Sequence, residues 1–151
     1  TTLVANVLYD AFKNTFLNRQ EHIRKQLSEF YNPILTLLSV NADIFEKIGP
    51  PARKLIVGEY QKEENFRVWN ELVDLVIIPN NNVICDIVKA NMHLISDDDS
   101  ISPYLEFITH AFVYREFRKK PFEDYEKFQF PGGFHEHISQ QRDNLKKKVR
   151  W

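Results

Sequence analysis

Apolar residues recur at steps of three and four from Leu3 to Ile48, through Val7, Leu8, Phe12, Phe16, Ile23, Leu27, Phe30, Ile34, Leu37, Leu38, Ile44 and Phe45. That period predicts one face of a helix. Lys13, Asn18, Arg19, Glu21, Arg24, Lys25 and Glu29 fall on the solvent side, and one wider gap opens around Arg19-Gln20. At ~1.5 Å per residue such a helix outreaches a small domain. Pro33, in the step Phe30-Tyr31-Asn32-Pro33, has no amide hydrogen and crowds the carbonyl four residues back. The stripe keeps its phase across it, so a kink is expected rather than a restart with Asn32 as cap.

Gly49-Pro50-Pro51 is the first stop signal. A second helix is expected through Phe66, Trp69, Leu72, Val73, Val76 and Ile77, ending before Pro79. A third follows, with Asn80-Asn81-Asn82 as caps and Ile84, Ile87, Val88, Asn91, Leu94 and Ile95 on its face. Val76-Ile77-Ile78 also suits a buried strand, but no partner strand is evident. Ser102-Pro103 opens a fourth helix through Leu105, Ile108, Phe112 and Phe117, closed by Lys119-Lys120-Pro121. Phe122, Tyr125, Phe128, Phe130 and Phe134 flank Pro131-Gly132-Gly133, an aromatic connection that must lie against the bundle. A last helix from about Phe134 to Val149 carries Ile138, Leu145 and Val149. The pattern predicts an all-α fold: one domain over residues 1–151, a bundle of about five helices organised by a long, Pro33-kinked first helix.

Composition narrows the class without naming a function. Apolar residues make up 43% and charged residues 27% of 151, which excludes disordered and fibrous chains. Only four glycines occur, too few for a turn-rich β fold. With 20 basic and 21 acidic residues the net charge is -1, so no overall field draws the chain to nucleic acid or an anionic membrane. One cysteine, Cys85, permits no internal disulfide and points to a reducing, cytoplasmic setting. No run approaches the ~20 apolar residues of a membrane span. The chain opens Thr1-Thr2-Leu3 without methionine, which suggests processing or a piece of a longer protein whose remainder holds any anchor.

Candidate chemistry is sparse. His93 and His110 lie near the ends of the third and fourth helices and would meet if those helices pair antiparallel, which gives a speculative ligand-binding or catalytic site. His135-Glu136-His137 spaces two imidazoles wrongly for a shared metal on a helix, so they read as surface histidines at a helix start. His22 falls on the polar side of the first helix. Asp97-Asp98-Asp99 lacks the alternation, glycine and closing glutamate of a calcium loop and reads as a solvated turn. No metal or cofactor is expected, and no nucleophile signature is present. Lys146, Lys147, Lys148 and Arg150, with Arg142 a turn earlier, form a basic helix end suited to phosphate or acidic lipid, or simply to the helix dipole. Nucleic-acid binding through them ranks last.

The segment Gln26-Leu27-Ser28-Glu29-Phe30-Tyr31-Asn32-Pro33-Ile34-Leu35-Thr36-Leu37-Leu38 resembles one found in a set of uncharacterised bacterial proteins, where it follows an N-terminal transmembrane helix. The likeness extends to Ile78-Pro79-Asn80, Asn91-Met92-His93-Leu94-Ile95, His110 and Phe130-Pro131. It implies a cytoplasmic helical domain tethered to the inner membrane by a span upstream of Thr1, and it assigns no catalytic residue. Together these readings lead to a non-enzymatic interaction or signalling domain that binds a protein partner or a second copy. The alternative is a small-molecule site near His93 and His110.

Overall fold

In a computed structural model, residues 1–50 and 63–150 are described, and they form an all-α bundle. Pro51, part of the first expected stop, lies outside them. The helices are α1 (Thr2–Lys25), α2 (Asn32–Ile48), α3 (Glu63–Leu72), α4 (Ile78–Ala90), α5 (Ser102–Lys119) and α6 (Phe134–Lys148). A π turn, Gln26–Tyr31, joins α1 to α2 as one rod, and a second, Val73–Ile77, joins α3 to α4.

The two π turns share one cause. Pro33 and Pro79 each stand at the second residue of the α-helix that follows. The carbonyls four residues back, on Glu29 and Leu75, would meet each proline ring, and both residues lie within the widened turn. The bend expected at Pro33 is therefore an inserted π turn. Pro79 corrects the sequence reading: it continues a helix instead of ending one. Asn80-Asn81-Asn82 accordingly are not caps. Asn80 Nδ2 donates to Asn41 Oδ1 at 2.9 Å, Asn41 Nδ2 donates to Asn81 Oδ1 at 3.0 Å, and Asn82 accepts from Arg115 at 3.2 Å. Tertiary partners have overridden a local preference for helix starts.

The main core draws one face from each rod. Ile23, Leu27, Phe30, Tyr31, Ile34 and Leu38 meet Ile84, Cys85 and Val88 of α4, Tyr104, Phe107 and Ala111 of α5, and Phe134, Ile138 and Leu145 of α6. α2 packs on α3, α4 and α6, and α4 on α5. Trp69, Val73 and Ile77 make a smaller cluster against Ile44 and Ile48 at the far end of α2. α5 presents a different face from the one expected. Tyr104, Phe107, His110 and Ala111 are buried, whereas Leu105 and Phe112 are exposed. Both faces of α5 carry large apolar residues, and the aromatic one is chosen because it stacks with the connection after α5: Phe107 lies 4.9 Å from Phe134, and Phe117 lies 4.2 Å from Tyr125.

The gap in the first stripe is filled rather than empty. Gln20 is buried; its Nε2 donates to the Lys148 carbonyl at 3.0 Å and its Oε1 accepts from Arg150 N–H. A polar residue thus satisfies a backbone carbonyl that the end of α6 leaves open.

Candidate functional site

Where the main core meets the smaller cluster, the helices leave a partly open cleft of about 640 Å³. Leu38 and Phe45 of the first rod, Trp69 and Ile77 of the second, and Tyr114 and Phe117 of α5 form its apolar walls. Volume and lining match the common form of small-molecule sites, an apolar cleft with few polar groups.

His110 and Asn81 are the buried polar groups on this wall, each only 6% exposed. His110 Nδ1 lies 2.7 Å from the Phe128 carbonyl oxygen. A carbonyl only accepts, so Nδ1 holds the proton and Nε2 is left as an acceptor. Burial pushes the imidazole below its ordinary pKa, against a smaller upward pull from the Phe128 carbonyl, and the ring stays neutral. It stacks on Tyr114 at 5.7 Å. Burial raises the Tyr114 phenol, and that of neighbouring Tyr125 to about 12, so both rings stay protonated.

Arg118, Asn41, Asn70 and His135 on the cleft wall are engaged, while the Tyr114 and Tyr125 hydroxyls make no hydrogen bond to a described residue. Arg118 donates to both carboxylate oxygens of Asp74, at 3.1 and 3.2 Å, and to Asn70 Oδ1 at 2.9 Å. Its charge is balanced in place. Asn41 donates to Asn81 Oδ1 and accepts from Asn80, and His135 Nε2 lies 3.1 Å from Ser39 Oγ.

His93 is exposed on the 3₁₀ turn Met92–Leu94 and does not line the cleft, so the structure uses His110 without it. Lys146 and Lys147 are exposed at the end of α6. Lys148 pairs with Asp98 at 3.1 Å, and the Arg150 carbonyl accepts from Arg24. Among the described residues no three His, Cys, Asp or Glu side chains group to hold a metal.

A second polar cluster was not legible in the sequence. Asp97 and Asp98 are exposed in a turn as expected, but the Asp99 side chain is 0% exposed, which corrects the reading of that residue as solvated. It accepts hydrogen bonds from Tyr31 Oη at 2.7 Å, from Tyr104 Oη, and from Ser100 N–H at 2.7 Å. His137 Nε2 lies 2.6 Å from it, so this histidine is a buried carboxylate's partner and not merely a surface residue at a helix start. Tyr31 Oη also accepts from Ser96 N–H at 2.9 Å. Burial, the largest influence, holds both phenols well above their ordinary pKa. The cluster joins the first rod, the loop before α5, α5 itself and α6, and it bolts the bundle together.

The other functional feature is what the bundle leaves uncovered. Residues 1–19 are all exposed, including Leu3, Val4, Val7, Leu8, Tyr9, Phe12, Phe16 and Leu17, with Phe12 at 72%. Ala5, Tyr9, Phe12 and Phe16 continue at steps of four, three and four the face on which Ile23, Leu27 and Phe30 are buried. No helix among the described residues is long and apolar enough to cross a membrane.

Comparison with protein-family models, with curated proteins and with solved structures returns no match.

Proposed function

We propose that this chain is a non-enzymatic interaction domain that pairs with a second copy through the first eighteen residues of α1. The observation that carries it is the bare apolar face of that arm, in phase with the buried face of the same rod. Leu8, Tyr9, Phe12 and Phe16 stand 42 to 72% exposed on or beside that face, while Leu3, Val7 and Leu17 fall among the polar residues opposite. At about 180 Å² per residue those four expose on the order of 400 Å². That is the size of the patch that monomers carry for function, and pairing two arms would supply about half of the ~800 Å² each partner gives a standard interface.

A protein partner suits the arm better than a lipid surface. Interfacial helices carry a basic polar face; here that side has Asn6, Asp10, Lys13, Asn14 and Asn18, whose two charges cancel. A second copy suits it better than an unrelated protein, because one symmetric contact between identical stripes covers both at once, as in a coiled-coil seam. In the anchored arrangement that the sequence resemblance implies, a paired rod would serve as a stalk between a span and the bundle.

Analytical ultracentrifugation tests this. The wild-type chain is expected to sediment as a dimer, and Phe12→Glu as a monomer with the bundle's thermal transition retained. A wild-type monomer at high concentration would overturn the proposal.

A further inference from the structure

We infer that the cleft beside His110 binds a neutral, ring-bearing small molecule that donates a hydroxyl or N–H hydrogen bond to His110 Nε2. Three observations converge on this class. First, Nε2 makes no hydrogen bond to any described residue, although the ring is more than nine-tenths buried. It is not sealed in protein either. Among the described residues the one side-chain nitrogen or oxygen both sealed and without a hydrogen bond is Arg142 Nε, which lies 3.1 Å from Asp143 but out of line with it. His110 stands between this cleft and a smaller one of about 390 Å³ lined by Ser102, Thr109, Lys127 and Gln129, and a buried acceptor left unsealed on such a wall is a place for a donor.

Second, the cleft is electrically neutral. Arg118 is cancelled by Asp74, Asn41 bridges Asn80 and Asn81, and burial keeps His110 neutral with its proton on Nδ1 against the Phe128 carbonyl. A carboxylate entering here would lose hydration without gaining an uncommitted cation, so anionic ligands are disfavoured. Third, Trp69, Tyr114 and Phe117 line the walls, and such faces select flat rings through offset and edge contacts. A volume of about 640 Å³ accommodates a bicyclic or larger body.

This site is independent of the α1 arm, so a monomeric Phe12→Glu chain is expected to bind as well as the wild type. Isothermal titration calorimetry of the full chain with 2-naphthol, 2-methoxynaphthalene and 2-naphthoate provides the test. The three share one ring system and differ in donor and charge. 2-Naphthol is expected to bind about tenfold more tightly than the methyl ether, the worth of one hydrogen bond, with naphthoate weakest. His110→Phe keeps a buried ring and is expected to remove the preference for 2-naphthol while leaving the ether's affinity in place. Ala42→Phe, on the cleft wall, is expected to abolish binding of all three and serves should the His110 variant fail to fold. Absence of binding, equal affinity for naphthol and ether, or a preference that survives in His110→Phe would each overturn the inference.

Discussion

Tyr31 Oη stands between a buried carboxylate and a backbone amide, donating to Asp99 and accepting from Ser96 N–H. Tyr31→Phe keeps the ring and strips both bonds, leaving the Ser96 amide without its partner in a buried position. A loss of about 1–3 kcal/mol is expected, read as a lower denaturant midpoint at unchanged slope. His110 makes stability depend on pH from the acid side. Burial lowers its pKa in the folded chain, so the unfolded chain takes up the proton first. The stabilisation is present above the ordinary imidazole value of about 6.5 and is lost as pH falls through the lower folded value. His110→Phe is therefore expected to flatten the fall of the thermal midpoint below that pH, measured by circular dichroism. The sequence pointed to His110 but not to its partner, and nothing in it marked the Tyr31–Asp99 contact. Asp99 becomes special through Tyr31 and His137, 68 and 38 positions away, and His110 through the fold of the connection that brings the Phe128 carbonyl back to it.

At the scale of elements, the first rod was legible because Ile23, Leu27, Phe30, Ile34 and Leu38 alternate three and four against a polar far side. Ile84 and Val88 of α4, and Ile138 and Leu145 of α6, were legible for the same reason. The face of α5 was not, since Tyr104, Leu105, Phe107, Ile108, Ala111 and Phe112 spread over nearly half of the helix surface and only tertiary packing chooses among them. Pro79 misled because a proline inside a helix looks like an end unless a π turn precedes it, and π turns leave no simple signature in sequence. Gly133 is a clearer sign. It adopts φ +82° immediately before α6, with open space where a Cβ would stand. Gly133→Ala is thus expected to cost about 1 kcal/mol through backbone strain alone, with Gly132→Ala as the nearly neutral control in the same melting experiment.

For the molecule as a whole, the described chain divides into a cooperative bundle and a protruding arm of different stability. The arm's helix has no tertiary cover over residues 1–19, and isolated helices of that length are marginal in water. In the monomeric Phe12→Glu chain, hydrogen exchange is expected to be fast over residues 2–18 and slow over residues 23–38, whereas the wild-type dimer protects both. Slow exchange along the arm of a monomer would place its cover within the chain instead. The all-α class followed from periodicity and scarce glycine. The cleft did not, because it lies at a seam between two clusters whose members come from all six of the described helices.

Gln20 clasps the Lys148 carbonyl and the Arg150 amide across 128 and 130 positions of sequence, which makes the root of the arm and the last turn of α6 a single joint. Trimming residues 148–150, or adding bulk to them, would act as a lever on the arm: the free rod would lengthen by about a turn and its grip on a twin would loosen, although the pairing face itself was never touched.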